Sequence, residues 1–232
     1  MLIAEEFSKY FGSVCALKEV GLSLPDGQIL GLIGPNGAGK TTFLQGLAGL
    51  LPMSSGRLSW NGVQVPLRNR PKLLFYLEDG IAPHPDLSVG AVLDFYAKIF
   101  GRGGNERDEA LERFDLPSYA SNRIKSLSKG TLKRLLLSLA WLAHQEVLLL
   151  DEPFDGLDLR QVRGVTLSLR DLTRCGRSLL LSIHQLRDAE RSCDRFVLLN
   201  SGGVVVAGTL PELQVKIGRP DANLEDVFYA LV

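Results

Sequence analysis

Gly34-Pro35-Asn36-Gly37-Ala38-Gly39-Lys40-Thr41 decides how this chain is read. It fits the spacing GxxxxGK[ST], in which small residues let the backbone curl until its N–H groups point at phosphate oxygens. Upstream, Ile29-Leu30-Gly31-Leu32-Ile33 is a buried strand that runs straight into the loop. Downstream, residues 40–51 read as a helix, broken by the segment from Pro52 to Gly56. The helix N-terminus adds partial positive charge, Lys40 a full one, and the Thr41 hydroxyl is placed for a magnesium ion. Thr42 continues the first turn. The pattern predicts a nucleoside triphosphate held with Mg²⁺.

Working outward, residues 1–24 alternate loosely and end in the turn Pro25-Asp26-Gly27. Residues 57–65 read as a strand and turn around Asn61-Gly62, and 73–77 as a short strand. Between about residues 78 and 146 the pattern becomes helical. Ser88 is a helix cap before Val89, Val92, Leu93, Tyr96 and Phe100, with Gly101 as the stop. Residues 105–114 form a charged helix in which Glu109 and Arg113 sit one turn apart, and residues 133–143 a strongly apolar one. Strands return at 147–150, 179–183, 196–199 and 204–207. Those at 147 and 179 are continuous apolar runs, as expected when helices cover both faces of a sheet. The fold class is α/β with a helical insertion.

Composition narrows the function. The 232 residues are 45% hydrophobic and 22% charged, enough apolar content to offset the entropy of ordering the chain. Lys plus Arg and Asp plus Glu are both 26, a balance that argues against nucleic acid as the main partner. Cys15, Cys175 and Cys193 show neither metal-ligand spacing nor a CxxC and read as buried or idle thiols in a reducing compartment. Glu5 and Glu6 interrupt any secretion signal. No apolar run approaches the roughly 20 residues that cross a bilayer. The expectation is a soluble chain.

The strand at 147–150 ends in Asp151-Glu152. Side chains alternate along a strand, so the two carboxylates point differently. Asp151 suits a hold on Mg²⁺ through water, and Glu152 suits polarising an attacking water.

The ordered set formed by the phosphate loop, Leu127-Ser128-Lys129-Gly130-Thr131, Leu148-Leu149-Leu150-Asp151-Glu152-Pro153, Gly156-Leu157-Asp158 and His184 resembles an ATP-binding cassette ATPase. More narrowly it resembles the separately encoded ATPase subunit of a transporter, over nearly the whole chain, including the closing Leu224-Glu225-Asp226-Val227-Phe228. The resemblance implies a P-loop NTPase core with an N-terminal antiparallel β subdomain and an inserted helical subdomain. One ABC ATPase domain would span 1–232, with 1–77 and 147–232 as core and about 78–146 as the helical subdomain. Two cassettes would bind head to tail, sandwiching two ATP between the phosphate loop of one and the LSGGQ-like motif of the other.

Residue by residue, the resemblance implies that Gly34, Asn36, Gly37, Ala38, Gly39, Lys40, Thr41 and Thr42 hold the nucleotide. Ser128 and Gly130 would hold a γ-phosphate arriving from the second cassette, and Asp158 would link the two sites. Glu152 stands where the family has its catalytic base, His184 where it has a γ-phosphate contact, and Lys40 completes the catalytic set. Phe11 lies where the family places an aromatic under adenine, with Tyr10 as the neighbouring candidate. The chain departs from the family at Lys129, Thr131 and Asp79. Counting from Tyr76-Leu77 puts Asp79, beside Glu78, where the family carries a Gln that touches Mg²⁺, so Thr41, Asp79 and Asp151 are the metal set. A carboxylate there adds negative charge near the phosphates and implies altered Mg²⁺ dependence.

The implied partners are a second ABC ATPase subunit, identical or not, and an integral membrane permease, with no nucleic acid. The implied location is cytoplasmic, peripheral on the inner face of the cell membrane. A DNA-linked relative would need a long coiled-coil insertion that the spacing from Lys40 to Ser128 leaves no room for. A nucleotide-binding regulatory protein would not need Glu152, and a guanine-nucleotide switch would need an NKxD motif that does not occur.

Overall fold

Residues 1–232 are all described in the structure, a computed structural model. Strands β1 (Leu2–Phe11) and β2 (Val14–Leu24) form a hairpin, and β3 (Ile29–Ile33) leads through the glycine loop into helix α1 (Lys40–Ala48). Then come β4 (Ser55–Trp60), β5 (Val63–Gln64), the short α2 (Arg70–Leu73) and β6 (Leu74–Leu77). Three helices follow in succession, α3 (Val89–Ile99), α4 (Gly104–Arg113) and α5 (Lys129–Leu142). The chain closes with β7 (Val147–Asp151), α6 (Leu159–Arg174), β8 (Ser178–Ile183), α7 (Leu186–Ser192), β9 (Arg195–Asn200), β10 (Gly203–Gly208), α8 (Leu210–Ile217) and α9 (Leu224–Leu231).

Two sheets result. The larger has the order β10-β9-β3-β8-β7-β6, parallel except for the edge hairpin of β9 and β10. The smaller is antiparallel, β2-β1-β4-β5. Every residue of β3, β7 and β8 is buried. Their alternation divides the interior in two. Leu148, Leu150, Leu179 and Leu181 face a core shared with the helices α3 to α9, whereas Val147, Leu149, Leu180 and Leu32 face one shared with α1 and the antiparallel sheet. Each fully buried Leu contributes about 1.5–3 kcal/mol of apolar transfer, so both faces hold the β3-loop-α1 unit in place.

The loose alternation of residues 1–24 has a physical cause. Glu6 (φ 55°) and Glu19 (φ 51°) are left-handed, and the β1–β2 register shifts between Ala4 and Phe7, between Phe7 and Lys9, and between Lys9 and Tyr10. Each bulge flips the face on which the next side chains fall, so one hairpin does not read as one period.

Helix ends follow their caps. Ser88 Oγ accepts from the Ala91 N–H at 3.2 Å and starts α3 as its sequence position implies. The helix after the phosphate loop stops at Ala48, because Gly49 turns left-handed (φ 81°). The apolar helix expected at 133–143 begins a turn earlier, at Lys129, with Ser128 as its cap. Its last carbonyls, on Leu142 and Ala143, accept from the Arg102 guanidinium, and Ala143 also from Arg177. Helix α6 has no counterpart in the sequence reading. Its signals were present in Asp158-x-x-Gln161, a capping box, and in Val162, Val165, Leu169 and Leu172, its buried stripe. No helix is long and apolar enough to cross a membrane.

Candidate nucleotide site

The loop between β3 and α1 is shaped by what its glycines can do. Gly37 (φ 81°) and Gly39 (φ 102°) are left-handed, a region closed to most side chains. At Gly34 the constraint is space, since a Cβ there would lie 2.1 Å from the Leu199 carbonyl oxygen. No side chain caps α1, so its first N–H groups face the loop's concave side without an internal partner. That arrangement is an anion cradle.

A cleft of about 300 Å³ opens there. One wall is Asn36, Gly37, Gly39, Lys40, Thr41 and Thr42, with Ala16 at the rim. The other is acidic, made of Asp79, Asp151 and Glu152. Lys40 is 7% exposed; its ammonium donates to the carbonyls of Gly34 at 2.7 Å and Pro35 at 3.3 Å and lies 3.9 Å from Glu152. Burial pulls its pKa below the ordinary lysine value, and the carboxylates of Glu152 and Asp151 oppose that shift.

Asp151 ends β7 and is buried. One carboxylate oxygen accepts from Thr41 Oγ1 at 2.8 Å, and the other from the Ser182 hydroxyl. Ser182 is the residue that parallel pairing sets opposite Asp151 on β8, a match that a single sequence does not reveal. The next residue, Glu152, leaves the strand with φ 47°. Its N–H donates to Ser182 Oγ at 3.0 Å and its carbonyl accepts from Lys133 Nζ at 2.9 Å. Its carboxylate meets His184 Nδ1 at 2.6 Å and the His184 backbone N–H at 3.3 Å. The two adjacent acids are thereby sent to different partners.

Glu78 and Asp79 also separate. Glu78 accepts from Gln45 Nε2 on α1 at 2.7 Å, and Asp79 is the one that reaches the cleft. From the sequence, a carboxylate at position 79 adds negative charge near the phosphates. In the structure it accepts from Lys133 Nζ at 2.6 Å, a counter-charge from α5 that lies 54 positions away and that local sequence does not reveal.

Other named residues lie off the cleft. Gly34 and Ala38 shape the loop from behind; Ala38 is buried, its N–H bonded to the Pro35 carbonyl at 3.1 Å. His184 touches the site through Glu152. Phe11, at the end of β1, is 50% exposed, with the Lys9 ammonium 4.8 Å from its ring centre, and Tyr10 is similarly exposed. Ser128 caps α5, accepting from the Thr131 N–H at 3.1 Å, and is exposed together with Lys129. Gly130 is buried, and a Cβ there would lie 2.7 Å from the Gly156 carbonyl oxygen. Asp158 caps α6, accepting from the Gln161 N–H at 2.8 Å.

The oxygen donors fit a small hard cation. Thr41 offers a hydroxyl and Asp151 and Asp79 carboxylates, the set that suits Mg²⁺ shared with phosphate oxygens. No cluster of three or more His, Cys, Asp or Glu forms a metal cage by itself.

Comparison with known proteins identifies the family and the fold. A family model described as "ABC transporter" matches residues 17–155. The ABC transporter ATP-binding protein YhaQ of Bacillus subtilis, itself described as uncharacterized, is 32% identical over 97% of this chain and 76% of its own length. The ABC-type transporter ATP-binding protein EcsA of the same organism is 32% identical over 93% of this chain and 90% of its own. A solved structure described as the ATP binding subunit of an ABC transporter superposes with a TM-score of 0.88 at 28% identity, covering 99% of this chain and 98% of that one. The dimeric cassette MJ0796 shares the fold at a TM-score of 0.79 and 23% identity, covering 90% of this chain and 99% of that one.

Proposed function

The chain belongs to the ABC transporter family as an ATP-binding cassette ATPase, and from that premise we propose that it is the ATP-hydrolysing subunit of a transporter, acting as a head-to-tail dimer on a separate membrane subunit. The observation that supports the reading is how the named residues divide around one open cleft. Lys40, Thr41, Asp151 and Glu152 converge on it, while Ser128, Gly130 and Asp158 lie away from it, with Ser128 facing solvent at a helix tip. A second copy would bring that tip to the exposed side of the triphosphate.

In this mechanism the α1 N–H groups and Lys40 hold the β- and γ-phosphates, and Lys40 exchanges its carbonyl partners for phosphate oxygens. Phe11 offers its exposed face to the base. Thr41, Asp151 and Asp79 would hold Mg²⁺, which when bound neutralises charge on the phosphates. Glu152 takes the proton of a water that attacks the γ-phosphorus, forming inorganic phosphate and leaving ADP. His184, with its proton on Nδ1, fixes the Glu152 carboxylate through the 2.6 Å contact. The partner's Ser128 and its helix N-terminus add hydrogen bonds to the γ-phosphate, so hydrolysis and loss of phosphate weaken the dimer.

Coupling requires a membrane partner. Purifying the tagged chain from detergent-solubilised membranes of its own source is expected to recover one integral membrane protein at near-equal amounts. Recovery of the chain only from the soluble fraction, without such a protein, would remove the transport role and leave an ATPase of another kind.

A further inference from the structure

Lys133 is 5% exposed and carries a charge into the protein interior. A buried ammonium is costly unless its protons are taken up, and here two are, by Asp79 Oδ1 at 2.6 Å and by the backbone carbonyl of Glu152 at 2.9 Å. The second acceptor is the unusual one. Glu152 is a non-glycine residue with φ 47°, a conformation that persists only when its surroundings hold it. Ser182 holds its N–H from β8, and Lys133 holds its carbonyl from α5. Both ends of the residue are pinned, and the direction of its side chain follows.

Lys133 also lies on the helix whose tip is Ser128 to Gly130. A rigid helix carries a displacement of its tip to a side chain little more than one turn further on. We propose that Lys133 is a positioning residue that holds Glu152 in its left-handed geometry and links the α5 tip to the chain's own hydrolytic carboxylate. The proposal rests on the reading of Glu152 as the base. Through its bond to Asp79, Lys133 also balances one of the three carboxylates in the cleft.

The test is steady-state ATP hydrolysis by the purified full-length chain, with ATP and Mg²⁺ varied separately. Lys133→Met is expected to lower kcat by about 30-fold with KM for ATP within about threefold, the signature of a misplaced reacting group and not of lost binding. The Mg²⁺ concentration for half-maximal rate should fall about threefold, because the Asp79 carboxylate is then unpaired beside the cation. Adding Asp79→Asn should return the Mg²⁺ profile to that of the unaltered chain while kcat stays low, since the Glu152 carbonyl is still unheld. Should Lys133→Met melt at the assay temperature, Lys133→Gln serves. Its amide can still donate to the carbonyl, so kcat should stay within about fivefold while the Mg²⁺ profile shifts.

A kcat for Lys133→Met within threefold of the unaltered chain overturns the proposal. So does full recovery of kcat in the double variant, which would leave Lys133 acting through the Asp79 charge alone. Glu152→Gln run alongside separates the failures. If it keeps turnover, the base assignment is wrong; if it loses turnover while Lys133→Met does not, only the positioning role is.

Discussion

Glu152→Gln is expected to cut ATP turnover by about 10³-fold while leaving ATP bound at least as tightly as before. The substitution keeps the size of the side chain, and its amide can still meet His184, but it removes the proton acceptor. It also removes a negative charge 3.9 Å from the Lys40 ammonium and on the wall that faces the phosphates. Less repulsion there favours the bound triphosphate. The two effects are read separately, turnover from phosphate release and affinity from equilibrium binding of a fluorescent ATP analogue. Turnover within tenfold of the unaltered chain would take the base role away from Glu152.

Gly34→Ala is expected to destabilise the fold by about 3 kcal/mol and to weaken ATP binding by about tenfold, from one misplaced methyl group. The added Cβ would sit 2.1 Å from the Leu199 carbonyl oxygen and 3.0 Å from the Ala38 Cβ. Neither neighbour can swing away. Leu199 is in β9, paired beside β3, and Ala38 is buried inside the loop itself. Relief requires the loop to lift off β9, which moves the N–H groups that form the cradle. Urea unfolding measures the stability loss. A variant within 0.5 kcal/mol of the parent would show that the loop tolerates the shift and that its close packing is not what fixes the cradle.

The candidate nucleotide site was legible because its physics is local. A buried strand, left-handed glycines, a lysine and a helix start are consecutive in residues 29–48, and the structure realises them in that order. Asp151 and Glu152 were legible as a pair at a strand end, and Ser88 as a cap. What stayed hidden depends on distant parts of the chain meeting. Ser182 reaches Asp151 through parallel register, and Lys133 reaches Asp79 across 54 positions. Helix α6 was hidden for a different reason. Its buried stripe is interrupted by Arg160, Arg163 and Arg170, which mask the apolar period and leave the Asp158–Gln161 capping box as the clearest local signal. The hairpin at 1–24 was obscured by its own irregularities, which shift the register three times.

The Lys133 arrangement changes how the departures from the family pattern are understood. Asp79, where the resemblance implies a Gln, and a lysine buried on α5 are two halves of one contact, 2.6 Å long. Lys129, one turn earlier, makes a second acid contact with Asp155 at 2.6 Å. Hydrogen bonding to Asp155 raises the Lys129 pKa, and the same bond lowers that of Asp155. This pair is largely exposed, so its contribution to stability is small. Together the two lysines tie the first turns of α5 to Asp79, to Glu152 and to Asp155 just after it.

Sedimentation of the Glu152→Gln chain with and without MgATP tests the shared-site account most directly. The account predicts a monomer without nucleotide, a dimer with it, and a monomer again when Ser128→Arg is added on the same background, although ATP still binds the cleft. A Glu152→Gln chain that stays monomeric with ATP bound, or a dimer indifferent to Ser128→Arg, would contradict it.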